Sequence, residues 1–122
     1  MAHREYIVIG RGRFGGGLAE TLVGMGHEVL GVDVDAKNVQ QFAGILTHVG
    51  EADSTDERAM AQLGAGEFET AVVAIGTEIE SSILTTAVLA DLGVRRIVAK
   101  AVTQAHGRIL ERVGAHRVVF PE

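Results

Sequence analysis

The feature that most constrains this chain is the stretch Tyr6-Ile7-Val8-Ile9-Gly10-Arg11-Gly12-Arg13-Phe14-Gly15. Its two halves cannot share one secondary structure. Four apolar residues rich in β-branched types are too few for a helix and read as a buried strand, and the glycine-spaced turn after them opens a helical pattern. Strand, turn and helix in that order form a phosphate-binding unit. Gly10 permits the tight turn off the strand, Gly12 lets backbone approach a phosphate with no Cβ between them, and Gly15 lets the helix pack close to the sheet. The helix then directs its free N–H groups and the positive end of its dipole at an anion. A chain with 16 glycines produces such spacings by chance. This one gains specificity from its place after a strand near the N-terminus and from Asp33, which ends a second apolar run roughly twenty residues after the turn.

The remaining sequence continues the alternation of strand and helix patterns. After the polar lead-in Ala2-His3-Arg4-Glu5, the first strand is Tyr6–Ile9. A helix is predicted over Arg13–Met25, with Leu18, Leu22 and Met25 on one stripe, Ala19 and Val23 beside it, and Gly26 at its end. Next come a strand over His27–Asp33, a helix over Ala36–Ala43 capped by Asp35, a short strand over Thr47–Val49, and an acidic loop. A helix from Asp56 or Glu57 to Leu63 ends at Gly64, and Thr70–Ile75 is the most apolar strand. The longest helix is predicted over Glu78–Leu92, with Ile79, Ile83 and Val88, and also Leu84 and Ala87, at helical spacing before Gly93. Arg95–Lys100 is a fifth strand, Thr103 caps a helix that runs to Val113 and stops at Gly114, and Arg117–Phe120 is a sixth strand. With right-handed crossovers this predicts an α/β fold, a Rossmann-like doubly wound parallel sheet of six strands ordered 3-2-1-4-5-6, with helices on both faces.

Composition narrows the class. A chain of 122 residues, 47% hydrophobic and with one proline, is expected to form one globular domain over 1–122 with a substantial core. Its apolar runs fall far short of the ~20 residues that span a membrane, and no basic-then-apolar leader is visible, so a soluble, cytoplasmic protein is expected. The absence of cysteine excludes disulfides, thiolate metal sites and thiol catalysis. A net charge of −5 with 4% aromatic residues argues against a nucleic-acid-binding surface.

In a doubly wound sheet, ligands bind beyond the carboxyl ends of the strands, at the switch point between the first and fourth strands. The candidate nucleotide-binding residues are therefore Gly10, Arg11, Gly12, Arg13, Phe14 and Gly15 in the turn, Asp33, Val34 and Asp35 after the second strand, and Ala52, Asp53 and Ser54 after the third. Ile75 and Gly76 after the fourth strand and Lys100 at the end of the fifth complete the set. Asp33 is placed to accept hydrogen bonds from both ribose hydroxyls of an adenosine, and its charge would repel a 2′-phosphate. ATP, ADP or NAD is thus favoured over NADP. The guanidinium groups of Arg11 and Arg13 suit a highly charged phosphate chain, which puts ATP or ADP ahead of NAD(H). Lys100 either meets a phosphate or carboxylate or extends to solvent. Glu51, Asp53 and Asp56 could gather a metal, but acids in a loop before a helix more commonly cap it; Asp53 could also face the adenine. The five histidines, His3, His27, His48, His106 and His116, include no pair at i,i+3 or i,i+4 spacing, so there is no local zinc signature, and most are expected at the surface or at strand ends. Neither a nucleophile elbow nor a base partner for Ser54, Ser81 or Ser82 is visible, and no enzymatic activity is expected.

On these residues the chain resembles the N-terminal nucleotide-binding domain of the RCK family, also called KTN or TrkA-N, and within it the Ktr-type cytosolic subunits of potassium transport. The matching segments are Tyr6–Gly16, Met25–Asp33, Thr70–Thr77, Ser82–Thr86, Lys100-Ala101 and Gly114–Glu122. The resemblance implies a homodimer that assembles into an octameric ring under a membrane-embedded potassium channel or transporter, where exchange of adenine nucleotides gates ion flow. It further implies that Asp33 holds the ribose, Gly10–Gly15 the phosphates, and Arg13 the terminal phosphate, reaching across a dimer interface. Glu122 matches a position near a divalent cation shared between ATP-bound neighbours. By that resemblance the 122 residues are expected to correspond to the N-terminal domain alone, without the family's smaller C-terminal domain. Two other functions stay open on the residues alone. One is the cofactor-binding fragment of an NAD-dependent oxidoreductase, although no hydride-transfer acid or base is evident. The other is a structural oligomerisation domain without a ligand.

Overall fold

A computed structural model describes residues 4–10 and 12–121. Arg11 and Glu122, both candidate ligand-contacting positions, lie outside the described residues. The elements are β1 (Glu5–Ile9), α1 (Arg13–Gly24), β2 (Glu28–Asp33), α2 (Ala36–Ala43), β3 (His48–Glu51), α3 (Glu57–Gln62), a 3-10 turn (Ala65–Glu67), β4 (Thr70–Val73), α4 (Ile79–Asp91), β5 (Arg96–Lys100), α5 (Gln104–Val113) and β6 (Arg117–Val119). The six strands form one parallel sheet in the order β3-β2-β1-β4-β5-β6, the predicted Rossmann-like winding.

The central strand explains why the pattern was legible. Ile7, Val8 and Ile9 are all buried because β1 is covered on both faces, as a parallel strand between crossover helices must be. Ile7 and Ile9 join Val32, Val73 and Ile97 against Met60, Leu89 and Leu110, which come from α3, α4 and α5. Val8 points the other way, with Val29 and Val72, against Ala19, Leu22, Phe42 and Leu46 on the side of α1 and α2. The helices therefore change face between the two halves of the sheet. That reversal opens a crevice where the carboxyl ends of β1 and β4 part.

Two helices differ from their predicted faces. The buried row of α1 is Gly15, Gly16, Ala19 and Leu22, while Val23 and Met25 are 39% and 53% exposed. The helix lies so close to the sheet that glycines occupy its contact line, and the larger apolar residues fall to its flanks. In α4 the inner face carries Ser82, Thr85, Thr86, Val88 and Leu89, and the predicted core residues Ile79 and Leu84 are exposed. Hydroxyls can occupy a core only if they are hydrogen bonded, and these are. The fourth strand is also shorter than predicted: it ends at Val73, and Ala74 and Ile75 form part of the crevice wall.

Two glycines of α1 give a direct test of the close helix–sheet approach. A Cβ at Gly15 would collide with the Gly10 carbonyl oxygen, whereas a Cβ at Gly17 meets nothing within 4 Å. Gly15→Ala is expected to destabilise the fold by at least about 2 kcal/mol. Gly17→Ala should stabilise it by about 0.5–1 kcal/mol. Urea unfolding of the two variants beside the parent measures both; equal effects would contradict the packing described.

Candidate functional site

The site is built from the turn after β1. Gly10 has φ of +95°, and a Cβ there would come within 2.9 Å of backbone atoms of Ala74 and Ile75. Both the conformation and the space demand glycine. Hydrogen bonds from Gly10 N–H to the Val32 carbonyl (2.8 Å) and from Ala74 N–H to the Ile9 carbonyl (2.7 Å) carry the ladder beyond the strands. The three chain segments around the crevice are thereby held in register up to its mouth. Gly15, seated on the Gly10 carbonyl, starts α1 directly over this junction.

How the helices begin separates those that border the crevice with open ends from those that do not. Side chains cap α2, α3 and α5: the Asp35 carboxylate accepts from Lys37 N–H, that of Asp56 from Arg58 and Ala59 N–H, and the Thr103 hydroxyl from His106 N–H. Asp56 is thus a cap, as its place before a helix suggested. By contrast α1 begins at Gly12 and α4 at Glu78 with no side-chain cap hydrogen bond. Among the described residues no side chain caps their first amides, and both N-cap residues line the same cavity.

That cavity has a volume of about 550 Å³. The structure brings Gly10, Gly12, Asp33, Val34, Asp35, Asp53, Ser54, Ile75 and Gly76 together on its wall. Arg13, Phe14, Gly15, Ala52 and Lys100 are not on the wall. Arg13 is exposed on the first turn of α1, Phe14 and Ala52 pack against the two cores, Gly15 acts from behind, and Lys100 is half-buried. Asn38 of α2 and Ser81 of α4 also line the cavity. They stand one helical turn inside elements whose termini alone drew attention, and helical spacing from Asp35 and Glu78 is the signal that could have found them.

The carboxylates gather on this wall for different local reasons. Asp33, 8% exposed at the end of β2, accepts from the Asp35 N–H at 2.9 Å and so shapes the entry to α2. Asp53 accepts from the hydroxyl and the amide of Thr55, at 2.7 and 3.0 Å, and these two bonds hold its carboxyl below the ordinary range. With Asp35 and Glu78 they make four carboxylates, and the described lining residues include no lysine or arginine. The wall offers acceptors for hydroxyl groups at the Asp33 end and open helix amides at the other.

Ser82 does have a histidine partner, across 24 positions of sequence, which no local pattern reveals. Its Oγ lies 2.6 Å from His106 Nε2. His106 Nδ1 accepts from the Val102 N–H at 3.0 Å, so the proton of the neutral ring sits on Nε2 and is donated to Ser82. Ser82 in turn donates to the Ile79 carbonyl at 2.9 Å. A ring that donates to the serine cannot also accept its proton, and both residues are buried. The pair is arranged for packing, not for nucleophile activation. His27 and His116 also use Nδ1 as an acceptor, for the amides of Arg4 and Ile97, at strand edges where the histidines were expected.

Comparison with known proteins places this geometry. The family model of the TrkA-N domain matches residues 6–121. The Ktr system potassium uptake protein C of Bacillus subtilis (strain 168) is 43% identical over 119 residues, covering 98% of this chain and 54% of that protein. Ktr system potassium uptake protein A of the same organism is 42% identical over 122 residues, covering 100% of this chain and 55% of that protein. The chain therefore spans about half the length of these curated relatives. Among solved structures, the NAD(P)-binding domain of an exopolyphosphatase-related protein from Archaeoglobus fulgidus superposes with a TM-score of 0.83 at 25% identity, covering 97% of this chain and 88% of that one. The GsuK channel bound to NAD has a TM-score of 0.84 at 17% identity, covering 97% of this chain and 21% of that one. The Kef C-terminal domain of Shewanella denitrificans in its AMP-bound form has a TM-score of 0.79 at 18% identity, covering 96% of this chain and 71% of that one. At these lower identities the likeness is one of fold.

Burial lowers the pKa of His106 below its ordinary value. Folding therefore favours the neutral ring, whose Nδ1 the Val102 amide requires. The unfolded chain binds the proton more readily, near pH ~6.5. This contribution to stability is complete above that pH and is lost as pH falls from there through the lower folded value. Thermal unfolding between pH 8 and pH 5 is expected to show the decline, and His106→Gln to flatten it; an unchanged slope in the variant would assign the titration to another group.

Proposed function

The chain belongs to the TrkA-N domain family, and on that footing we propose that it is a nucleotide-sensing regulatory domain of a potassium channel or transporter that catalyses no reaction itself. The observation that carries the proposal is the convergence of two uncapped helix N-termini and Asp33 on one crevice. Open helix amides are a ready site for phosphate, and a carboxylate at the end of the second strand suits an unmodified ribose. ATP or ADP is the first candidate and NAD(H) the second. The fold is shared with structures bound to NAD and AMP, and its Ktr relatives belong to potassium uptake systems.

On this reading the chain acts as one nucleotide-binding domain of a longer subunit, with Gly10, Gly12, Ile75 and Gly76 around the phosphates, and Val34, Asp35, Asp53 and Ser54 around the nucleoside. Four carboxylates with no cationic side chain among the described lining residues would repel a polyphosphate, which favours a divalent cation bound with it. Arg13, exposed at the head of α1, is available to a terminal phosphate of its own ligand or of a neighbour's. A second copy of the chain and a membrane-embedded transporter are the partners, and the domain works on the cytoplasmic side. Among the described residues, no helix is long and apolar enough to cross a membrane.

The test is a thermal-shift comparison of ATP, ADP, NAD and NADP. Ligand at ~100 times its dissociation constant adds about 2.7 kcal/mol to the folded state, which for a domain of this size raises Tm by several degrees. ATP or ADP should give the largest shift and NADP the smallest, and Asp33→Ala should remove most of the shift. Asp33→Asn keeps an acceptor for the Asp35 amide but drops the charge, so it should narrow the gap between NAD and NADP. A larger shift with NADP than with ATP or NAD in the parent protein would overturn the assignment of Asp33.

A further inference from the structure

Ser82, Thr85 and Thr86 turn inward from α4, with exposures of 1%, 0% and 0%. Two of their hydrogen bonds stay within the helix, from Thr86 Oγ1 to the Ser82 carbonyl at 2.8 Å and from Ser82 Oγ to the Ile79 carbonyl at 2.9 Å. The other two leave it in opposite directions. Thr85 Oγ1 meets Ser54 Oγ at 2.7 Å, in the loop after β3. Ser82 Oγ meets His106 of α5 at 2.6 Å, and the ring continues to the Val102 amide in the loop between β5 and α5. Apolar side chains could fill the same space and slide over one another. A buried hydroxyl pair cannot slide, because moving either partner out of reach strands a polar group in the core.

Both ends of this seam adjoin something that can change. At one end Ser54 lines the cavity, and so do Glu78 and Ser81 at the start of α4. At the other end, Val102 and Ile109 are each 44% exposed, and the Phe120 ring lies against Gly107 on the inner side of α5. A displacement of α5 would therefore reshape an apolar surface.

We propose that α4 couples the cavity to α5, with Ser54 and Thr85 as positioning residues at the input and Ser82 and His106 at the output, so that nucleotide occupancy is felt at the Val102 amide. The proposal rests on the nucleotide reading above. A ligand that presses on Ser54 and the head of α4 shifts the helix as a unit, and the His106 ring carries that shift into the loop before α5.

Amide hydrogen exchange followed by NMR on the 122-residue chain, with and without saturating ADP, tests it. Amide shifts at Gly12 and Val34 report binding, and exchange at Val102 reports coupling. ADP should slow Val102 exchange by at least about fivefold, the lower end of typical couplings between sites. Thr85→Val, of the same shape without the hydroxyl, should still show ADP-induced shifts at Gly12 but lose the slowing at Val102. Thr85→Ser should restore it. Unchanged Val102 exchange in the saturated parent protein, or full slowing in Thr85→Val, overturns the coupling while leaving the nucleotide site intact. Silence at Gly12 and Val34 with ADP, ATP and NAD overturns both. Should Thr85→Val fail to fold, Thr85→Ala removes the same bond away from the cavity wall, and the parent protein's response to ADP decides by itself.

Discussion

Everything at the ligand end of this molecule depends on backbones meeting with no side chain between them. Gly10 faces the backbone of Ala74 and Ile75 across a gap that a Cβ would close, and Gly15 rests on the Gly10 carbonyl. Contact at that distance fixes where β1 ends relative to β4, where α1 starts, and how far its first amides stand from the crevice. A Cβ at Gly10 or Gly15 would force these backbones apart and so displace the wall of the crevice. Fold and site therefore share a single constraint.

The second organising fact is how the helix ends are treated. Free N–H groups at a helix start normally find a side chain or water. Asp35, Asp56 and Thr103 supply side chains for α2, α3 and α5, while α1 and α4 open without one on the wall of the same cavity. Asp33 balances this positive region from the far wall, where its carboxylate also organises the turn into α2. The crevice thus has an end suited to hydroxyl groups and an end suited to oxyanions, which is the division a nucleotide presents. The charged side chains that the described lining adds to these amides are all carboxylates.

Helix α4 shows where periodicity misleads. Its apolar residues recur at helical spacing, yet Ile79 and Leu84 face outward while three hydroxyl-bearing residues face the core. Hydropathy ranks Ser and Thr below Ile and Leu because it assumes their hydroxyls would go unpaired when buried. Here all three are paired, through two bonds to the helix's own carbonyls and two to neighbouring elements, so the penalty disappears. The partners Ser54 and His106 lie 31 and 24 positions away, beyond any local pattern. In α1 the departure has another cause, since a helix that uses glycines for close approach moves its contact line off the large apolar residues.

From the sequence alone follow the element order, the parallel sheet and its winding, because each depends on local chemistry: β-branched runs too short for helices, Asp and Thr before helices, and Gly26, Gly64, Gly93 and Gly114 after them, all four with positive φ in the fold. The turn residues and Asp33 were legible for the same reason, as a strand end next to a helix start is a local event. Only the tertiary structure decided which of the candidates share a wall, leaving Lys100 and Ala52 off it and bringing in Asn38 and Ser81. It alone joined Ser54 to Thr85 and Ser82 to His106. Those outcomes depend on the distance and angle at which α4 and α5 settle on the sheet, and close packing of the whole core, not any single stretch of chain, sets both.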